Sequence, residues 1–296
     1  MRITTRSPGY AAALALAGAA VLATPAAAQA SVPFQTVVPC SSSALVTAIS
    51  QANSARFATL VLARDCTYVL TTPAAQNDGL PPVTGNLIIL GSGGTTISRS
   101  SSAGHFRIFD VPFGGRLVLA NVTVAGGFPA DDLGGGIVDD GAVVLRNVRL
   151  AGNTASSGGG LAVLNGAHAT VLFSELEGNN AIDSDGGAIE NAGDLVVDHS
   201  RLTRNAARRG AGVSTARGTT TRISGTVIAR NGAGDGGGIF NEGATVLTGD
   251  RVVFNFAAAG GGIEIFAGTV TLRFTQVAFN TPDNCFPPGR VRGCRN

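Results

Sequence analysis

Residues 145–163 read LRNVRLAGNTASSGGGLAV and residues 171–191 read VLFSELEGNNAIDSDGGAIEN. Both carry one series of landmarks: an aliphatic residue, four residues, a second aliphatic, two residues, an Asn, then a glycine cluster followed by another aliphatic. The same series recurs as Leu195/Val197-Leu202-Asn205, Ile223-Ile228-Asn231, Leu247-Val252-Asn255 and Leu272-Val277-Asn280. Upstream, Leu119-Val124 fits with Gly127 in the Asn place. Glycine clusters at 134–136, 158–160, 186–187, 210–212, 236–238 and 260–262 lead into Ile137, Leu161, Ile189, Val213, Ile239 and Ile263. A period of about 25 residues marks a solenoid, whose units bury their apolar face only by stacking.

Within a unit the apolar residues alternate in short runs, as in Thr170-Val171-Leu172-Phe173, which is the period of a strand. Gly and Asn at the breaks tolerate positive φ. Three short strands and three turns fill a unit, and no helix-length segment remains. The expected fold is therefore all-β, a right-handed parallel β-helix with an N-terminal capping helix. Coils about 4.8 Å apart place equivalent side chains in columns, and the Asn column is expected to form an internal amide ladder.

The ends break the pattern. Arg2 and Arg6, the apolar run Ala11–Ala23 and Ala28-Gln29-Ala30 read as an export leader over residues 1–30. Residues 31–84 read as an N-terminal cap: a helix over Ser42–Ala55 with Leu45, Ala48, Ile49 and Ala52 on one face and Ser42 or Ser43 at its start, then strands at 59–62 and 67–71. Regular coils are expected over 85–281, with strands at 87–90, 95–97 and 106–111 among the first. A C-terminal capping loop is expected over 282–296, where Pro282 and Pro287-Pro288 stop the ladder. Cys40, Cys66, Cys285 and Cys294 allow three disulfide pairings. Cys40–Cys66 with Cys285–Cys294 is favoured, because a rigid rod separates its ends. An even cysteine count behind a leader points to a secreted, extracellular protein, with no transmembrane anchor once the leader is cleaved.

Every basic residue is Arg, and removing Arg2 and Arg6 from the 21 leaves them equal in number to the 19 acids. A neutral chain offers no basic footprint for nucleic acid or for an anionic membrane. Counting back from each ladder Asn places Arg149, Glu175 and Arg201 in one outward column, with Glu177, Asp198, His199 and Arg204 on the same sheet or its edge. Arg149, Glu175, Asp198, His199 and Arg201 are thus the candidate catalytic set. As a site they supply an acid with an Arg or His for acid–base work on a sugar; otherwise they are cross-coil ion pairs on a solvated face. Asp131-Asp132 and Asp139-Asp140 are the acidic pairs that would suit Ca²⁺, but neither fits a known calcium loop, so no cofactor is expected. His105 and His168 stand alone, and Phe254 with Phe279 would be a stacked pair or an aromatic platform for a sugar.

The elements Gly260–Ile263, Phe254-Asn255 and Phe279-Asn280 resemble the repeats of chlamydial polymorphic outer-membrane proteins. Nearly all of residues 31–296 resembles exported bacterial β-helix proteins of the pectate-lyase-like superfamily, especially actinobacterial ones, whose opening is similar to Cys40-Ser41, Leu60-Val61-Leu62 and Cys66-Thr67-Tyr68. Only residues 282–296 follow the last coil, so the membrane barrel of the chlamydial proteins is not expected. The resemblance implies either a polysaccharide lyase or a glycoside hydrolase acting on an acidic polysaccharide, or a module without catalysis. Lyases of this fold use Ca²⁺ on an acidic cluster, and hydrolases use three Asp on adjacent coils; no such triple Asp column is present. The reading favoured by the residues is a secreted, non-catalytic scaffold, adhesion or surface-binding module, whose partner is a polysaccharide or another component of the cell envelope.

Overall fold

The computed structural model describes residues 34–55 and 57–296; the expected leader lies outside the described residues. One coil shows the plan. Ala142–Arg146 belongs to sheet A, Arg149–Ala151 to sheet B, Thr154–Ala155 to sheet C and Leu161–Val163 to sheet D. Each strand pairs in parallel with its equivalent one coil on: Leu145 with Val171, Leu150 with Leu176, Leu161 with Ile189. Sheets A, B and D hold 10, 9 and 8 strands, and sheet C holds 4. The short sheet C, directly after the ladder Asn, is a fourth strand that the three-strand reading of the repeat does not contain. Its residues, such as Thr154-Ala155 and Asn180-Ala181, are too few to show a period of their own.

The aliphatic landmarks point inward and are buried, including Leu145, Val171 and Val197 from sheet A and Leu150, Leu176 and Leu202 from sheet B. Each such side chain stabilises by about 1.5–3 kcal/mol when removed from water. The six Asn residues of the repeat form the expected ladder. The Asn153 amide nitrogen donates to Asn179 Oδ1 at 3.0 Å, and the same bond repeats from Asn179 to Asn205, to Asn231, to Asn255 and to Asn280. The same nitrogen also donates to a sheet B carbonyl of the preceding coil, as from Asn205 to Leu176 at 2.9 Å. At its start the ladder serves Gly127 N–H, and at its end Asn284 takes the place of a further coil.

A second ladder runs through the corner between sheets A and B. Backbone N–H groups of Val148, Ser174, Ser200, Thr226 and Asp250 donate in turn to the side-chain oxygens of Ser174, Ser200, Thr226, Asp250 and Thr275. The interior is also polar where sheet D meets sheet A, with Asn191, Thr215, Thr221, Thr245 and Asn241 bonded to one another. Asp139 stands in the same inward column as Asn191 and Asn241 and is fully buried.

The glycine clusters sit between sheets C and D. Gly236 has φ +59°, and a Cβ on Gly237 would lie 2.4 Å from the Phe256 carbonyl oxygen, so the backbone of the neighbouring coil excludes any side chain there.

The N-terminal cap helix runs Ser42–Ala52, with Leu45, Ala48, Ile49 and Ala52 buried as expected; the N-cap is Ser41, not Ser42 or Ser43. A strand at Phe34–Val38, unforeseen in the sequence, pairs with Ala58–Leu62 and starts sheet A. At the other end Cys285–Phe286 adds a last rung to sheet D. The bridges are Cys40–Cys66 and Cys285–Cys294, with Cα separations of 5.7 and 6.3 Å.

Asn205→Ala removes two donated and two accepted bonds and leaves the Asn179 backbone N–H and one of its side-chain amide protons buried without an acceptor. At about 1–3 kcal/mol for each buried orphan, a loss of about 3 kcal/mol is expected. Chemical denaturation of the variant against the parent measures it; a loss below about 1 kcal/mol would mean the ladder is not a principal support.

Candidate functional site

From the coil of Arg116–Ala120 onward, the corner between sheets A and B is turned in each coil by a residue in the left-handed region. These are Asn121, Asn147, Phe173, His199, Gly225, Gly249 and Phe274, with φ between 46° and 71°. Asn and Gly take this conformation cheaply, whereas a bulky residue there is strained. Phe173 therefore costs conformational energy, and its ring and the His199 ring remain largely in solvent. The rings stack with centroids 5.5 Å apart. The next coil has Gly225, whose missing Cβ leaves room for the imidazole; a Cβ would lie 3.1 Å from His199 Nε2.

Alongside this corner runs an open groove of about 850 Å³, lined from Gly91 to Val227. Arg149, Glu175, His199 and Arg201 all line it. Asp198 stands behind His199, its Oδ2 2.9 Å from His199 Nδ1, and also accepts from the Ser224 hydroxyl. The hydroxyl and the imidazole hold the Asp198 carboxyl below the usual range. The expected column is in register, Arg149 beside Glu175 beside Arg201. Arg149 Nε lies 3.4 Å from Glu175, and Arg149 Nη2 lies 2.6 Å from Glu177. Glu177 also binds Arg204, and these two guanidinium groups lower its pKa. Arg201 has no ion-pair partner among the described residues. The five candidate residues are thus brought to one place. Ser174 and Ser200, also in the lining, donate their hydroxyls to the carbonyls of Leu172 and Asp198, so neither is a free nucleophile.

The other sequence candidates lie elsewhere. Asp132 pairs with Arg107, whose Nε is 2.9 Å from Asp78. Asp78, Asp110, Asp132 and Arg107 line a smaller cavity of about 330 Å³ at the first coils. These acids come from different columns, so the spacing rule that finds the Asn ladder does not find them. No group of three or more His, Cys, Asp or Glu among the described residues is arranged to hold a metal ion. His168 is not alone, lying 3.3 Å from Asp194, and His105 packs on Phe128. Phe254 and Phe279 stack at 5.4 Å and 10°, at the corner between sheets B and C.

The equal count of charges hides an uneven distribution. From Arg201 to Arg273 the A and B strands carry Arg201, Arg222, Arg251 and Arg273, and the B–C corner carries Arg204 and Arg230. The acid on that side, Asp250, is buried in the hydroxyl ladder. Sheets C and D carry Asp110, Glu190, Asp235 and Glu264, with Arg208 and Arg209 on sheet C. Burial, reinforced by neighbouring acids, raises Asp110 to about 6 and Glu264 to about 7.

Residues 115–279, more than half of the chain, match the family described as the right handed beta helix region. No curated protein and no solved structure matches the chain. No helix among the described residues is long and apolar enough to cross a membrane.

Burial raises Asp139 to about 7 and Asp250 to about 6, as it raises Asp110 and Glu264. The folded chain therefore holds protons that the unfolded chain releases near pH 4, and stability falls as pH rises from about 4 to about 6–7. The melting temperature is expected to be lower at pH 8 than at pH 5. Asp139 has one carboxyl oxygen without a partner. Asp139→Asn, matching Asn191 and Asn241, should raise the melting temperature clearly more at pH 8 than at pH 5. Equal effects at both pH values would refute this account of Asp139.

Proposed function

Since the chain belongs to the right-handed β-helix family, we propose that it is an exported, non-catalytic surface-binding module that holds an extended glycan in the A–B groove. The observation carrying this reading is the Phe173–His199 stack. Phe173, strained in the left-handed region, and His199 stand stacked on the wall of a groove, where Asn or Gly turns the same corner in most other coils. Strain retained without burial points to a role outside the fold. The apolar face of a sugar suits the rings, and its hydroxyls suit Arg149, Glu175 and Arg201. The groove follows the coil axis, so a linear polymer meets equivalent positions at each coil step.

The case against catalysis is chemical. A general acid near neutral pH needs a raised pKa, and the carboxyls raised by burial, Asp110, Asp139, Asp250 and Glu264, are absent from the groove lining. Glu175 lies against Arg149, and Glu177 is pinned between two arginines. One arrangement favours a second reading, a polysaccharide lyase or glycoside hydrolase. His199 is oriented by Asp198, leaving Nε2 as a base in the groove.

Retention on immobilised neutral and acidic polysaccharides, with unsaturated products and new reducing ends followed in parallel, tests both. Retention without product is expected, weakened about tenfold by Phe173→Ala and by His199→Ala. Product formation that His199→Ala or Glu175→Ala abolishes would overturn the non-catalytic reading. Retention unchanged by both ring substitutions would remove the groove from the account.

A further inference from the structure

The groove lining ends at Gly225 and Val227. Beyond it, over the last coils, sheet B presents a different surface. Arg251 points outward from Arg251–Val253, with Arg230 at the corner beside it. Both are exposed and have no ion-pair or hydrogen-bond partner among the described residues. Three phenylalanines border this face at its two corners. Phe274 is 98% exposed on the A side; Phe254 and Phe279 are 53% and 68% exposed on the C side. All three are in the left-handed region, at φ 51°, 58° and 57°.

At the A–B corner the two preceding coils use Gly225 and Gly249; at the B–C corner Gly152 and Gly178 turn earlier coils, followed by Arg204 and Arg230. The fold thus has a cheap solution at both corners and does not use it here. Each phenylalanine adds backbone strain and exposes an apolar ring, with no burial in return.

We propose that the sheet B face of the last coils is a docking surface for an anionic lipid bilayer. Charge complementarity carries the choice of partner: unpaired arginines stand on this side, and its acid, Asp250, is buried. The rings distinguish a lipid surface from a soluble polyanion. Phe254 and Phe279 cover a face of each other at 10°, which hinders insertion of a sugar or base between them. Their exposed edges, and the free Phe274 ring, suit the boundary between headgroups and acyl chains, where aromatic side chains concentrate. Arginines among them would meet the lipid phosphates. A neutral net charge does not oppose such docking, because the compensating acids Asp235 and Glu264 lie on sheets C and D.

Co-sedimentation of the full chain with vesicles tests the proposal, using phosphatidylcholine alone and phosphatidylcholine mixed with phosphatidylglycerol. Binding is expected to the mixed vesicles alone and to weaken with salt. Arg251→Gln and Arg230→Gln should each lower partitioning about fivefold, the weight of one basic side chain at an anionic surface. Phe274→Ala should lower it about tenfold. All three side chains are exposed, so an unchanged melting temperature separates loss of docking from loss of fold. Absence of binding at low salt would overturn the proposal. So would binding to heparin or single-stranded DNA with none to vesicles, or vesicle binding indifferent to Phe274→Ala. Arg251 and Phe274 lie outside the groove lining, so retention of these variants on polysaccharide reports the groove independently.

Discussion

The structure depends on one repeated bond, the amide of each ladder Asn donating to the carboxamide oxygen of the next. The column needs a side chain that donates and accepts along the same axis. Asn does both; Asp lacks the donor, and a hydroxyl is too short to reach its counterpart and the preceding coil's carbonyl together. The bond also fixes the spacing, because equivalent amides meet only if every coil returns to the same point after one axial step of about 4.8 Å. Coil length is therefore held nearly constant. Insertions, the usual source of functional loops, are excluded from most of the rod, and variety is confined to side chains standing in columns.

The corner columns are where that variety appears. A left-handed backbone is imposed at the corner by the geometry of the turn, whatever residue occupies it. Asn and Gly satisfy it at little cost. Their replacement by Phe173, His199, Phe254, Phe274 and Phe279 is therefore informative in a way that an exposed phenylalanine on a loop is not. The aromatic replacements fall in two groups, one on the groove wall and one around the last coils of sheet B, with Arg204 and Arg230 at the B–C corner between them. Between them the A–B corner returns to glycine at Gly225 and Gly249, so the two groups are distinct surfaces on one scaffold.

The fold was largely legible because its determinants are periodic. The aliphatic–aliphatic–Asn spacing located the inward columns of sheets A and B, and counting back from Asn placed Arg149, Glu175 and Arg201 side by side. The hydroxyl ladder was equally periodic, as Ser174, Ser200, Thr226 and Thr275 hold one place before their Asn, but Val148 and Asp250 interrupt its chemistry. Sheet C and the strand at Phe34–Val38 carried too few residues to show a period. The cavity around Arg107 was hidden for a different reason: Asp78, Asp110 and Asp132 come from unlike positions in their coils and meet only in three dimensions. Left-handed aromatic corners were also invisible as such, since an Asn and a Phe at one turn position look unrelated until the backbone is known.

Net charge misled most. Equality of acids and arginines removes the long-range field of the whole molecule, but a columnar fold assigns each residue to a face by its place in the repeat. Acids near the glycine clusters fall on sheets C and D, while arginines just before the ladder Asn fall on sheet B. At a Debye length of about 8 Å, a surface or polymer against sheet B responds to the charges on that face, while those on the far side of the rod are screened. In a solenoid the electrostatically meaningful quantity is charge per column. By that measure this neutral chain has a basic side, running from the groove at Arg149 and Arg201 to Arg251 and Arg273, on which both of its aromatic surfaces lie.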